Sequence, residues 1–505
     1  MPGAEPGRRR VAALAGAVLV VGSLVAGCSL TGDSPDPTPS GTATPRPFTV
    51  MSTDQVRVTD PAAVTDTASA MLTVNVFQRL MSADPGQSAL KPDAARDCGF
   101  IESPTVYTCT LNEDEFFHNG HPLTSSDVEF SIERAARLDV PGSSATLLSS
   151  LRKIETPDPL TVRFVLSRVD TQFGWALASP AASLVDEEVY DADKVQAPDK
   201  PIVGSGPFSV TSYAKDEIAL QRYPTYVGRN RPSLDAVVYR SVPDSATIED
   251  AMNKGTTDVV WRGLDDAAVT RLSSQAAADG DANTANGFHQ SVLTGLRVLQ
   301  LEWSPTSASR ADKGLRQAIA LALQGDRTSD SVVPGGVPGH TATFALGGKT
   351  TPKVTWNKRI ILTLGYDSTE PNGQDIATQV RTRLENTGGL SVRLRPDETG
   401  DLTLVDRKAW TATALAWLQP YLAAPLPASA KTVQATENAF RQVPPTDEAT
   451  ANRLLATLQK QTATDLVVLP ISQSDEYVYA RIGVRLSATS FGPGWQLGLF
   501  GLSRG

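Results

Sequence analysis

Histidine and cysteine are scarce in this 505-residue chain, four and three residues respectively, and that scarcity removes most nucleophilic and metal chemistry from consideration. No cysteine nucleophile and no catalytic histidine phrase can be assembled. Asp and Glu are plentiful, so composition alone leaves a hydrolase working only with carboxylates open. Basic residues are also in deficit, 46 against 55 acidic ones. A chain of that balance makes a poor partner for nucleic acid, whose phosphates demand basic surface. It weakly favours neutral or cationic ligands. After the first 27 residues no stretch is apolar for long enough to cross a membrane, and no internal repeat is visible.

The N-terminus holds what the rest lacks. Arg8, Arg9 and Arg10 precede an apolar run from Val11 to Leu24, which is short for a membrane span. Val25, Ala26 and Gly27 then lead into Cys28, an order that resembles the bacterial lipobox. The resemblance implies cleavage after residue 27 and lipid on the Cys28 thiol. Two or more acyl chains make a stable anchor at roughly 0.8 kcal/mol per buried methylene. A single-pass signal anchor with an incidental cysteine is the alternative. Losing residues 1–27 removes three arginines and Glu5, which takes the net charge from −9 to about −11. Residues 28–47 are Pro-, Thr- and Ser-rich with almost nothing to bury, and are expected to form a disordered spacer. A folded body is expected from Phe48.

Within the body, Cys98 and Cys109 flank a turn signal at Glu102-Ser103-Pro104, and residues 106–111 alternate like a strand. A hairpin would bring the two thiols together, and outside the cytoplasm they would oxidise. Strands are expected over 161–166, 217–222 and 236–242. Thr124 to Asp127 has capping-box spacing ahead of Val128, Ile132 and Ala135 on one face. Further helices are expected through Leu315–Leu323, Ile376–Leu384 and Leu454–Leu458. The mixture is α/β.

Several segments carry a family resemblance in a fixed order. They are 106–131, with Phe117-His118-Asn119-Gly120 at its turn; Val203 to Phe208 with Tyr223-Pro224-Thr225-Tyr226; Pro243-Asp244 with Gly255 to Val260; Leu299 to Ala322; and Val468 to Ile471 with Glu476-Tyr477. The series resembles the family 5 extracellular solute-binding proteins of ABC importers, the oligopeptide and dipeptide binders. The resemblance implies a two-lobed periplasmic-binding-protein-like fold (type II, large cluster) with hinge strands and a central cleft. Lobe I would hold 48–290 with 466–505 returning to it, and a shortened lobe II would hold 291–465. The partners implied are a peptide or other mid-sized organic solute, a permease with its ATPase subunits, and the membrane through the anchor. A monomer, the usual state of that family, is expected. No cofactor, metal or enzymatic activity is expected.

The resemblance also places the candidate site residues and shows where the chain departs from the pattern. Peptide binders carry an aspartate shortly after a conserved tryptophan, and it receives the ligand's α-ammonium. Here residues 410–421, from Trp410 to Tyr421, contain no acid. A buried ammonium without a carboxylate is costly, so Glu302 is the expected replacement. Trp261, Trp303, Trp410 and Trp417 are expected as apolar walls, beside Phe77, with Asn75, Gln78 and Gln419 as hydrogen-bonding groups. The eroded second lobe motivates a different class of reading, a transport-inactive relative acting as a surface scaffold or sensor. His118 and His121 have His-x-x-His spacing, but the resemblance gives His118 to a structural turn. Gly347 to Thr350 lacks the first glycine of a phosphate loop, and Ser205 lacks a nucleophile-elbow frame.

Overall fold

The computed structural model describes residues 46–84, 89–348, 358–411, 413–487, 490–492 and 494–505. The apolar leader, Cys28 and the Pro-rich spacer up to residue 45 lie outside them. Among the described residues no helix is long and apolar enough to cross a membrane.

Ten strands make one sheet in the spatial order Leu390–Pro396, Ile360–Tyr366, Leu402–Arg407, Phe288–Trp303, Val468–Arg481, Val259–Trp261, Phe48–Ser52, Ala236–Ser241, Glu217–Arg222, Phe208–Tyr213. Each half contains parallel neighbours: Ile360–Tyr366 runs parallel to both strands beside it, and so does Phe48–Ser52. Parallel pairs need crossover connections, which is why helices alternate with strands here. Between the halves lie two long antiparallel strands, Phe288–Trp303 and Val468–Arg481. Their register shifts between Leu293 and Arg297 and again between Leu299 and Gln300. Such bulges bend a ladder without ending it. One apolar core, including Leu301, Leu315, Leu364, Trp417 and Leu469, is drawn from residues 298–471. Separate cores form around Phe164 and Val128, and around Phe48, Val237 and Trp261.

Local signals in the sequence translate directly. Helix Ser125–Leu138 begins at the Thr124 cap, where the Asp127 carboxylate accepts from the Thr124 N–H, and it buries Val128, Ile132 and Ala135. The expected helices over Leu315, Ile376 and Leu454 are Lys313–Ala322, Gly373–Glu385 and Glu448–Asp465. Strands Ala95–Ser103 and Val106–Leu111 form the cysteine hairpin, with Cys98 directly opposite Cys109 and a disulfide joining them.

Candidate functional site

Two parallel-strand groups point their carboxyl ends toward each other across the long pair, and polar side chains gather there. Arg262 follows strand Val259–Trp261 in the left-handed region, φ 55°, and Gly263 continues the turn at φ 153°. A Cβ on Gly263 would come within 2.8 Å of the Thr53 nitrogen, so only glycine fits. The Arg262 carbonyl accepts from Ser52 Oγ at 2.6 Å and from the Thr53 N–H at 3.3 Å. That strained turn drives the guanidinium into the space between the halves.

There Arg262 meets four carboxylates. Its Nε lies 2.7 Å from Asp54 Oδ2, its Nη1 3.0 Å from Glu476 Oε2, and its Nη2 2.8 Å from Glu370 Oε1 and 2.5 Å from Asp406 Oδ2. Arg297 bridges Glu370 and Asp406 from the long strand, at 2.8 and 2.7 Å. Lys408 pairs with Glu476, whose other oxygen accepts from Trp261 Nε1 at 2.7 Å. Burial pushes Asp54 up to about 7, helped by Glu370 and opposed by Arg262. Burial also acts on Asp406, but Arg262, Arg297 and Lys408 outweigh it and hold that carboxyl far below the usual range. Burial lowers the Lys408 ammonium.

Among the described residues, three cavities lie beside this cluster. The largest, about 590 Å³, is walled by the start of helix Asp266–Asp279, the turn from Tyr366 into helix Gly373–Glu385, and strand Leu402–Arg407. Its floor is the long pair, through Arg297, Ser474 and Tyr477. A second, about 330 Å³, lies between residues 54–68 and 399–410, with Trp410 on its wall. The third, about 150 Å³, is bounded by Thr294, Gly335, Lys408, Trp417 and Trp495.

Of the residues expected from sequence, Trp410 and Trp417 therefore reach a cavity, whereas the others are engaged elsewhere. Glu302, the expected charge partner, is paired with Arg407 on the neighbouring strand and lines none of the three. Trp261 is fully buried beneath Arg262, and Trp303 packs in the core of residues 298–471. Asn75 spends its whole amide on the backbone: it donates to Met71 and Leu497 and accepts from the Leu499 N–H. Phe77 packs edge-on against Tyr190. Gln419 bonds Thr146 across the halves.

Gln78 donates to Glu115 Oε1 at 3.2 Å, and Asn112 donates to the same oxygen at 3.1 Å. Burial pushes Glu115 up to about 7. A carboxyl raised by folding adds stability that is full below its unfolded value and lost as pH rises through about 7. Glu115→Gln keeps the acceptor oxygen and removes the charge. Denaturant unfolding is expected to find the variant about 2 kcal/mol more stable than the parent at pH 8 and equal to it near pH 4. An identical gap at both pH values would refute the account.

His118 accepts the Gly204 N–H through Nδ1 and bonds the Gly206 carbonyl through Nε2, and burial pushes it down to about 4. The turn is thus tied to the loop at 204–206. His121 lies 3.0 Å from Asp186 and 3.8 Å from Asp127. Both carboxylates are already accepting backbone N–H groups, from Glu188, Glu187 and Thr124, so their geometry is that of caps.

The family model for bacterial extracellular solute-binding proteins, family 5, matches residues 89–348. The probable D,D-dipeptide-binding periplasmic protein of Escherichia coli K12 is 26% identical over 377 residues, 69% of each chain. Among solved structures, a periplasmic binding protein of A. tumefaciens R10 in complex with agropinic acid superposes with a TM-score of 0.76 at 19% identity, covering 91% of this chain and 98% of that one. A dipeptide-binding protein of Pseudoalteromonas sp. SM9913 in complex with Met-Leu gives 0.75 at 16%, with 91% and 100% covered. The fold is the two-lobed periplasmic-binding-protein one, and the long strands are its connection between lobes. The chain belongs to the family 5 bacterial extracellular solute-binding proteins.

Proposed function

We propose that this protein is the substrate-binding component of an ABC importer, held to the outer face of the cell membrane by lipid on Cys28, and that it captures a peptide or peptide-like solute for a permease. The observation that carries the reading is the 590 Å³ chamber, walled from both halves of the sheet and floored by the strands that join them. A solute seated there touches both halves at once, so it favours the arrangement in which they are closed. Division of the body near residues 290 and 466 fits the separate apolar cores. Trp410 and Trp417 serve as walls of the two smaller cavities.

The test is native mass spectrometry of the full chain released from mild detergent. Co-purified solute of peptide size is the expected result. An empty protein that shows no thermal shift with di- to pentapeptide pools would sink capture. It would favour the scaffold or sensor, a reading supported by the ion pairs that already occupy the middle of the cleft. The anchor has its own check: Cys28→Ser should move the protein from the membrane fraction to the soluble one, and unchanged membrane association would refute lipidation.

A further inference from the structure

The class of solute is written in the charges of the 590 Å³ chamber. Its lining carries the carboxylates Asp266, Asp367, Glu370, Asp406, Asp475 and Glu476 against two cations, Arg262 and Arg297. Both cations are committed: Arg262 to four carboxylates, Arg297 to two. No lining cation among the described residues is left for an anionic solute. On the acidic side, Asp367 is answered by Arg57, while Asp266 and Asp475 make no ion pair among the described residues.

A second observation concerns Asp406 alone. Both of its arginine partners attach to Oδ2, and Oδ1 is buried with no hydrogen-bond donor. The side chain is 9% exposed. A carboxylate oxygen taken out of water and left without a donor is a standing cost that a ligand N–H can relieve. Around it the chamber is apolar and aromatic, through Leu264, Ile376, Tyr366 and Tyr477. Ring faces of that kind also attract organic cations.

Resting on the capture reading, we infer that the chamber takes a solute with an ammonium or guanidinium head set against Asp406 and Glu370 and a flat apolar body against Tyr366 and Tyr477. The head supplies the donor that Asp406 lacks. The positive group is therefore received by the end of strand Leu402–Arg407 and the turn before helix Gly373–Glu385. Glu302, spent on Arg407, is not part of it.

The experiment titrates the full chain in detergent, by calorimetry, with three blocked dipeptides that differ in one side chain and its charge: N-acetyl-lysyl-tyrosine amide, its glutamine analogue and its glutamate analogue. The lysine compound should bind roughly tenfold or more tighter than the glutamine one, and the glutamate compound should give no heat. Thr270→Trp locates the site, because Thr270 is exposed on the chamber wall and contacts none of the ion pairs. That variant should lose lysine-compound binding while keeping the parent Tm. Equal or tighter binding of the glutamine or glutamate compound would overturn the cationic class, and undiminished binding by Thr270→Trp would overturn the location. Silence from all three overturns the proposal too. A parallel titration with unblocked peptide pools separates that failure from failure of capture: heat there keeps the importer reading, and its absence removes both.

Discussion

Arg262→Met is expected to lower the unfolding free energy by roughly 4 kcal/mol, the scale for removing one partner of a buried ion pair. Arg262 is 1% exposed and, among the described residues, is the only group touching all four carboxylates of the cluster. Methionine fills a similar volume, so the loss reports charge and not a void. Asp54, Glu370, Asp406 and Glu476 would then face one another with Arg297 and Lys408 as the remaining cations. Repulsion of this kind is relieved by protons. The defect should therefore be larger at pH 8 than at pH 5.5, since carboxylates stripped of a cation titrate upward. Arg262→Lys should rescue little, because one ammonium cannot reproduce a fork that spans Nε, Nη1 and Nη2. Denaturant unfolding of both variants at the two pH values is the measurement. A loss below about 1 kcal/mol would mean that water, not Arg262, neutralises the cluster.

The same variant bears on the shape of the molecule. Asp54 and Arg262 come from one group of strands and Glu370, Asp406 and Lys408 from the other, so the cluster ties the halves through charge. A second tie stands apart from it, where fully buried Arg441 meets Asp170 at 3.0 Å. Ion pairs of this type contribute orientation more than net stability, because desolvation offsets much of their attraction. Losing Arg262 should therefore enlarge the radius of gyration in solution scattering, with the Arg441 contact limiting the change.

How much of this was legible in the sequence differs sharply between fold and site. Signals confined to one segment translated well: the cap at Thr124 and Asp127 needs only four residues, and the cysteine hairpin needs fifteen or so. The colinear phrases from Val106 to Tyr477 carried the two-lobed fold for the same reason, since each phrase is local and only their order is global. The cluster was not legible. Its seven charged members come from six separate stretches, and nothing in the phrase Trp261-Arg262-Gly263 marks the arginine as its hub except the glycine that permits the turn. The site candidates suffered from the same gap. Asn75 and Gln78 sit where the family pattern puts cleft residues, yet backbone groups near Leu497 and the Glu115 carboxyl take their amides. Glu302 is the acid the sequence offers, but the register sets it opposite Thr403 with Arg407 on the same face of that strand, and the Arg407 guanidinium takes its carboxylate.

Reduction of the Cys98–Cys109 disulfide, or replacement of both residues by serine, is expected to cost about 3 kcal/mol. The estimate follows from closing a short loop, since the two residues are 11 apart in sequence and the unfolded chain regains that loop's freedom when the bond is cut. The native hairpin is held independently. Its second strand, Val106–Leu111, pairs on its other side with Thr161–Leu166, and Cys109 lies fully buried in the core that contains Phe164 and Val128. The fold should accordingly survive, with the loss appearing in the denaturation midpoint and not in the far-UV spectrum. Serine at 109 adds a further, smaller penalty because its hydroxyl would sit in an apolar core. Cys109→Ala with Cys98→Ala separates the two contributions. A double-alanine variant as stable as the parent would show that strand pairing and the apolar core alone fix the hairpin and that the bond adds nothing to it.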